Sequence, residues 1–234
     1  MSTPEHAVWH DVECGRYLAD MALWEELASE AERTLDIGAG TGRVTLRLVA
    51  AGHDVTALDI DAGLLAELQR RAKTPVATIT ADASDFTTDG QFDLIAVPMQ
   101  TVQLLTDRDG FFASVRRALA PGGRLAIAIA TELEPYDGSP PLPAPDIGHD
   151  DGWTYISQPV AIRVDEERAS IERVRQRVSP EQERITTEDL IELHVVTPGE
   201  LAEEAAEHGL EAEELRHIPE TLEHVASQVV LFRG

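Results

Sequence analysis

The sequence predicts an α/β fold: a doubly wound, seven-stranded sheet with an antiparallel strand insertion after the fifth strand. Three observations carry this prediction. Short, nearly continuous apolar runs alternate with helical stretches up to Ala130, the pattern of a parallel sheet covered by helices on both faces. A glycine-rich junction, TLDIGAGTGRVTL over Thr34–Leu46, separates the first apolar run from the first helical one. Beyond residue 131 the pattern turns to longer extended segments with short polar connections, as in an antiparallel meander.

RTLDIG is the first strand, and GRVTLRLVAAG is a helix ending at Gly52. HDVTALDID is the second strand, followed by AGLLAELQRRAK, where Leu64, Leu65 and Leu68 have helical spacing. PVATITAD and QFDLIAVP are the third and fourth strands. RDGFFASVRRAL is a helix, and GGRLAIAIA is the fifth strand after the turn APGG. ELEPYDGSPPLPAPDIGHDDG is rich in proline, glycine and aspartate and reads as a loop or flap. WTYISQPVAIRV, ASIERVRQRV and ITTEDLIELHVV are three antiparallel segments. TPGELAEEAAEHGL restores a helix, with Thr197 as cap, Pro198 in its first turn and Gly209 past its end. EAEELRHI and SQVVLFRG are closing strands. A single domain over 1–234 is expected, with a core over 34–131, an insertion over 132–196 and closing elements over 197–234.

Composition narrows the function classes. The formal charge of −24, from 43 acidic against 19 basic residues, repels phosphate backbones and anionic lipid, so neither nucleic acid nor a membrane is expected as partner. Apolar runs fall short of the roughly 20 residues of a membrane helix. The opening MSTPEHAVWHDVEC lacks a basic segment followed by an apolar one, so no secretory leader is expected. Cys14, the single cysteine, has no internal disulfide partner, and a reducing cytoplasm is the expected compartment. The histidines show no metal-ligand spacing, so no metal is expected.

A tight strand-to-helix turn needs glycine both for its torsions and for close approach of a ligand. A dinucleotide turn places its third glycine three residues after the second. Here Gly38, Gly40 and Gly42 alternate instead, and Asp36 is a poor neighbour for a pyrophosphate. A carboxylate there suits a cation, such as the ammonium of a methionine moiety. Asp59, ending the second strand, can accept from ribose hydroxyls, and Asp82, after the third, from an exocyclic adenine amine. The three carboxylates describe a nucleoside bearing a cation.

LDIGAGTGR resembles the first motif of class I S-adenosylmethionine-dependent methyltransferases. VTALDID, ADASDF, FDLIAVPMQTVQLL and LAPGGRLAI look like their later motifs, in order. The resemblance is most specific over Thr34–Ala130, and its closest flavour is the small-molecule group of amino-sugar N-methyltransferases and glycine or sarcosine methyltransferases. It implies a Rossmann-like fold with S-adenosylmethionine as cofactor. Asp36, Gly38, Ala39 and Gly40 would line the methionine end, with backbone amides of the turn near its carboxylate. Asp59 would hold the ribose, Ile60 would press on adenine, and Asp82 and Ala83 would read the adenine edge. Pro98, Met99 and Gln103 would approach the sulfonium and the substrate. WHDVECGRYLADMALWEELA, within residues 1–33, resembles the group's lid helix, with Tyr17 facing the cofactor's carboxylate and His10 and Cys14 departing from its usual tyrosines.

Plainer roles compete at several positions. Asp61 reads as a helix cap, and Asp85 is an adjacent alternative to Asp82. Met99 and Tyr17 are each as well explained by packing, and Cys14 as buried filler. Arg173, Arg175 and Arg177 share one face of a strand, which is expected to be solvated and paired with acids on the next strand. The implied reaction moves a methyl group to an N or O atom of a small molecule by in-line displacement, which asks mainly for alignment and exclusion of water. His10, Tyr17, Gln103 and His194 are the candidates for orienting the acceptor, and only the histidines are plausible bases near neutral pH. The alternatives are another reaction on the same cofactor (carboxymethyl transfer or cyclisation) and a silent cofactor-binding protein. The insertion carries too many large apolar groups for a fully solvated sheet, so it is expected to roof the substrate and can also pair two subunits as a homodimer.

Overall fold

The computed structural model describes residues 4–135, 137–140, 142–221 and 225–234. The chain divides into two units: residues up to Tyr17 with Glu132–Val195, and Leu18–Thr131 with Val196–Gly234. The N-terminal stretch is correspondingly two helices rather than one, α1 (Glu5–Cys14) and α2 (Met21–Ser29). The break falls at Gly15, a weak helix former. A Cβ there would lie 2.7 Å from the carbonyl oxygen of Asp11.

The core then runs β1 (Arg33–Ile37), α3 (Thr45–Ala50), β2 (Asp54–Asp59), α4 (Ala62–Arg71), β3 (Ala77–Thr80), β4 (Phe92–Val97), α5 (Arg108–Ala118) and β5 (Leu119–Ile129). β5 starts earlier than the turn APGG led us to expect, because Leu119 already pairs with Phe92. The pairing then shifts so that Leu94 meets Arg124, and Gly122, at φ +77°, absorbs the irregularity.

The insertion forms a second sheet of four antiparallel strands in the order β6-β7-β8-β9. These are β6 (Asp146–Asp150), β7 (Trp153–Val164), β8 (Arg168–Val178) and β9 (Arg184–His194). β6 lies within the stretch read from sequence as loop. DIGHD has no apolar alternation to announce it; its pairing is dictated by β7, with Gly148 opposite Tyr155. A Cβ at Gly148 would lie 2.5 Å from Val12 Cγ2, so glycine is what admits α1 there. Val8, Trp9 and Val12 of α1 bury against Tyr155, whose ring meets that of Trp9 edge-on at 5.0 Å.

The chain closes with α6 (Pro198–Glu207), β10 (Glu211–Ile218) and β11 (Ser227–Arg233). Thr197 caps α6 in a capping box: its side chain accepts from the Glu200 N–H, while the Glu200 side chain accepts from the Thr197 N–H. The seven-stranded sheet has the order β10-β11-β5-β4-β1-β2-β3, with β1 to β5 parallel and β11 antiparallel to both of its neighbours, β5 and β10. One of its faces buries Leu35, Leu58, Ile95 and Ile127 against Phe111 and Phe112 of α5 and Leu201 of α6. Ala57 points the opposite way, toward Leu65 and Leu68 of α4, as strand alternation requires. The chain leaves β1 for β2 on one side and returns to β4 on the other. The crevice beyond the carboxyl ends of these strands is thus the switch point where such sheets bind ligands.

Candidate functional site

The glycine turn lies at that switch point. Gly38, Gly40 and Gly42 all have positive φ, at 75°, 54° and 95°. Side chains rarely adopt that conformation. A Cβ on Gly38 would also sit 2.5 Å from Thr101 Oγ1, in the short 3-10 turn (Thr101–Leu104) after β4. The turn is drawn onto β2, since the N–H groups of Gly38 and Ala39 both donate to the Leu58 carbonyl, at 2.8 and 3.0 Å. The Gly40 N–H donates to Asp59 Oδ2 at 2.7 Å. These three amides are therefore engaged within the protein, which differs from the role expected of them beside a cofactor carboxylate.

Asp36 lies under the turn and is almost completely buried. Its Oδ2 accepts from the N–H and hydroxyl of Thr45, at 3.1 and 2.6 Å. Its Oδ1, equally buried, has no hydrogen-bond partner among the described residues. Native proteins seldom leave such an atom unsatisfied, so each instance asks for an explanation. Burial pushes the carboxyl up to about 6, against the Thr45 hydrogen bonds and the positive charge of Arg43, which favour ionisation.

Asp59, also buried, commits Oδ1 to the Asp61 N–H at 2.9 Å, and so ties the glycine turn to the start of α4. Asp61 is the cap of that helix, accepting from Gly63 and Leu64. Ile60, between the two, is 69% exposed, an apolar face held out beside a polar crevice. Asp82 is exposed and accepts from the Ser84 N–H at 2.8 Å, whereas Ala83 is buried in the core. After β4, Pro98 is buried and Met99 has φ +56°. A positive φ is uncommon for a side-chain-bearing residue, and such strain gathers at functional sites. Gln103 is buried with both ends of its amide tied to Ala130, donating to its carbonyl at 3.2 Å and accepting from its N–H at 2.8 Å. That arrangement holds the end of β5 and suits a positioning role.

The expected cofactor residues other than Tyr17 thus fall together in the unit that contains the seven-stranded sheet. His10, Tyr17 and His194 fall in the other unit. There His10 is half-buried on α1, Tyr17 is buried, and His194 ends β9 opposite Arg168. Arg173, Arg175 and Arg177 are paired with acids as expected, though only partly from the next strand, and their face is not the solvated one expected: the side chains are only 14%, 22% and 31% exposed. Arg175 meets Asp189 of β9 and Glu13 of α1, Arg173 meets Asp146 of β6, and Arg177 meets Glu5 of α1. Among the described residues no cluster of three or more His, Cys, Asp or Glu side chains is placed to hold a metal ion. None of the described helices is long and apolar enough to cross a membrane.

Sequence reasoning missed Arg43 and Asp20, which form a buried ion pair at the end of the glycine turn. Arg43 is the last residue of the motif LDIGAGTGR, the one available signal; a partner 23 residues away leaves no trace in spacing.

Residues 34–123 match the profile of the methyltransferase domain family. Among curated proteins, the chain is 28% identical over 138 residues to a protein of Bacillus subtilis named as a putative methyltransferase, covering 56% of this chain and 55% of that one. It is 33% identical over 113 residues to a demethylmenaquinone methyltransferase of Beutenbergia cavernae, covering 45% and 46%. The chain spans about half the length of these relatives. Among solved structures, the sugar N-methyltransferase of a Streptoalloteichus species superposes with a TM-score of 0.78 at 16% identity, over 100% of this chain and 93% of that one. The amino pentose methyltransferase of Micromonospora echinaspora, solved with S-adenosylmethionine bound, superposes with a TM-score of 0.71 at 20% identity, over 96% of both chains. At these identities the likeness is one of fold.

Proposed function

We propose that this chain, whose residues 34–123 match the methyltransferase domain family, is a class I S-adenosylmethionine-dependent enzyme that moves a methyl group to an N or O atom of a small molecule by in-line displacement. The observation that carries the reading is the orphaned, buried Oδ1 of Asp36 beneath the glycine turn. It is an acceptor without a donor, and the ammonium of a methionine moiety is a donor of fitting charge. The same crevice has a glycine whose Cβ would collide with Thr101, and an exposed Ile60 beside the Asp59 carboxylate. Those features fit a nucleoside.

In this proposal Asp36 would hold the ammonium, Asp59 the ribose, Ile60 a face of the adenine, and Asp82 and Ala83 its edge. Pro98 and Met99 would face the reacting end, with Gln103 holding the end of β5 in place. The bound cofactor supplies a methyl group already activated by its sulfonium. The protein's work is then to align an acceptor and exclude water, and no metal is required. An amine acceptor must arrive or become unprotonated, for which His10 or His194 can serve as base, with Tyr17 orienting. Among solved structures of this fold, sugar and glycopeptide N-methyltransferases recur, which favours an amine acceptor over a hydroxyl.

The test is release of S-adenosylhomocysteine when the protein is given S-adenosylmethionine and a panel of small acceptors. A panel of amino sugars, other amines, phenols and carboxylates separates N from O acceptors. Turnover with an amine is the expected result. Tight binding of S-adenosylhomocysteine with no turnover on any acceptor would favour a silent binding protein, and binding of NAD as tight as that of S-adenosylhomocysteine would overturn the cofactor assignment.

A further inference from the structure

The buried pair of Asp20 and Arg43 has no part in the roles assigned above. Arg43 follows Gly42 directly, and its two terminal nitrogens donate to Asp20 Oδ1 at 2.7 Å and Oδ2 at 2.8 Å. The side chains are only 7% and 2% exposed. Asp20 Oδ2 also accepts from Trp24 Nε1 at 2.7 Å, so the carboxylate is fixed by a residue one turn into α2 as well. Asp20 stands at the cap position of α2, yet its side chain caps no helix N–H. The Asp20 backbone is itself helical, at φ −88° and ψ −11°, not the extended conformation of a capping residue, and its carboxylate meets the arginine instead.

A buried ion pair is a poor device for stability alone, because desolvating two charges costs about as much as their attraction returns. Its place in the fold supplies a different reason. The charges that act on Asp36 are Arg43 on the turn, which favours the carboxylate, and Asp59 at the end of β2, which opposes it. The strands flanking β1 add no charge directly opposite, since Asp36 is level with Ala57 of β2 and Ala96 of β4. Thr45, at the start of α3, contributes neutral hydrogen bonds. Arg43 is thus the positive charge that favours the Asp36 carboxylate, and Asp20 holds both terminal nitrogens of that guanidinium.

We propose that Asp20 is a positioning residue for cofactor binding: through Arg43 it anchors the glycine turn to α2 and holds a positive charge near Asp36 without letting that charge take the place of the cofactor's ammonium. The inference rests on the assignment of Asp36 to the ammonium. The two substitutions have opposite electrostatic consequences. Removing the Arg43 charge leaves Asp36 with only the repulsion of Asp59, so the carboxylate is harder to ionise. Removing the Asp20 charge lets the guanidinium pair with Asp36, which makes that carboxylate easier to ionise and competes with the ligand.

Calorimetric titration of the full chain with S-adenosylhomocysteine from pH 5 to pH 8 reads both effects. For the natural protein, affinity should be level above the Asp36 pKa of about 6 and weaken about tenfold per pH unit below it, as one proton is taken up. Arg43→Gln should bind at least tenfold more weakly at pH 7, with its acid limb moved to higher pH. Asp20→Asn should also bind at least tenfold more weakly at pH 7, with its limb moved to lower pH. Arg43→Lys, which keeps the charge but loses the fork, should leave the limb in place and weaken binding only a few fold. Loss of affinity without opposite movement of the limbs would reduce the pair to a structural brace and overturn the proposal, as would natural affinity in folded Arg43→Gln. If Arg43→Gln does not fold, the Asp20→Asn limb decides alone: a shift to lower pH supports the proposal and an unmoved limb overturns it. Failure of the natural protein to bind S-adenosylhomocysteine at all would instead remove the cofactor assignment beneath it.

Discussion

Gly38 shows how much of the site rests on one missing side chain. Two independent constraints meet there, a backbone at φ +75° and a neighbour, Thr101, within 2.5 Å of any Cβ. For alanine the left-handed conformation alone costs roughly 1–2 kcal/mol. The clash must then be relieved by moving the turn that follows β4. Gly38→Ala is therefore expected to fold, to lose several degrees in Tm and to bind S-adenosylhomocysteine at least tenfold more weakly. Calorimetry on the folded variant checks the last point, and unchanged affinity would mean that the glycine serves packing alone. Met99 stands opposite in kind, since it holds a positive φ despite carrying a side chain. Its strain is held by the fold around it, and nothing in the residues PMQ announces it.

The elements differ sharply in how plainly their residues announce them. β1, β2 and β4 are apolar runs buried on both faces, so composition alone marks them, and α6 carries its start signal in Thr197-Pro198 and its stop in Gly209. Asp36 and Asp59 are legible for a related reason, because their positions follow from the strand ends. β6 is not, since its hydrogen bonds exist only by courtesy of β7, and the division of the N-terminal stretch into α1 and α2 depends on which sheet each helix finds. The Asp20–Arg43 pair is illegible because it joins residues related in space only. α1 itself offers a measurable case. Glu13 accepts from two nitrogens of Arg175 and from the Ser157 hydroxyl, all at 2.7 Å. Burial opposes its ionisation, but those hydrogen bonds and the charges of Arg175 and Arg173 outweigh burial and hold the carboxyl below its ordinary range. A depressed carboxyl favours folding above the pKa of the unfolded chain, and the benefit is lost as pH falls through the lower folded value. Glu13→Gln should therefore cost about 1–3 kcal/mol at pH 7 and make unfolding less sensitive to acid. The cost stays at that level because Arg175 keeps Asp189 at 2.7 Å. Unfolding followed by the fluorescence of the tryptophans at two pH values measures both effects.

For the whole molecule the dominant long-range quantity is its charge of −24. Self-repulsion of that size works against any folded state, and salt relieves it by shortening the Debye length from about 30 Å at 0.01 M to about 3 Å at 1 M. Tm should accordingly rise with sodium chloride, by about 2–4 °C for each 1 kcal/mol of repulsion removed. A flat or falling profile in a scan from about 0.01 to 1 M would show that the arginine–carboxylate pairs already balance the field locally. The division of the chain bears on its birth as well. α1 is made well before Ser157 and Arg175, the residues that satisfy Glu13, which lie 144 and 162 positions further on. At roughly 5–20 residues per second, a ribosome releases that helix on the order of ten to thirty seconds before its partners exist. During that interval Trp9, Val8 and Val12 have no sheet to cover, while β1 to β5 can already pair in order of synthesis. α1 is therefore left to chaperones and proteases for that interval, before the strands it covers have been made.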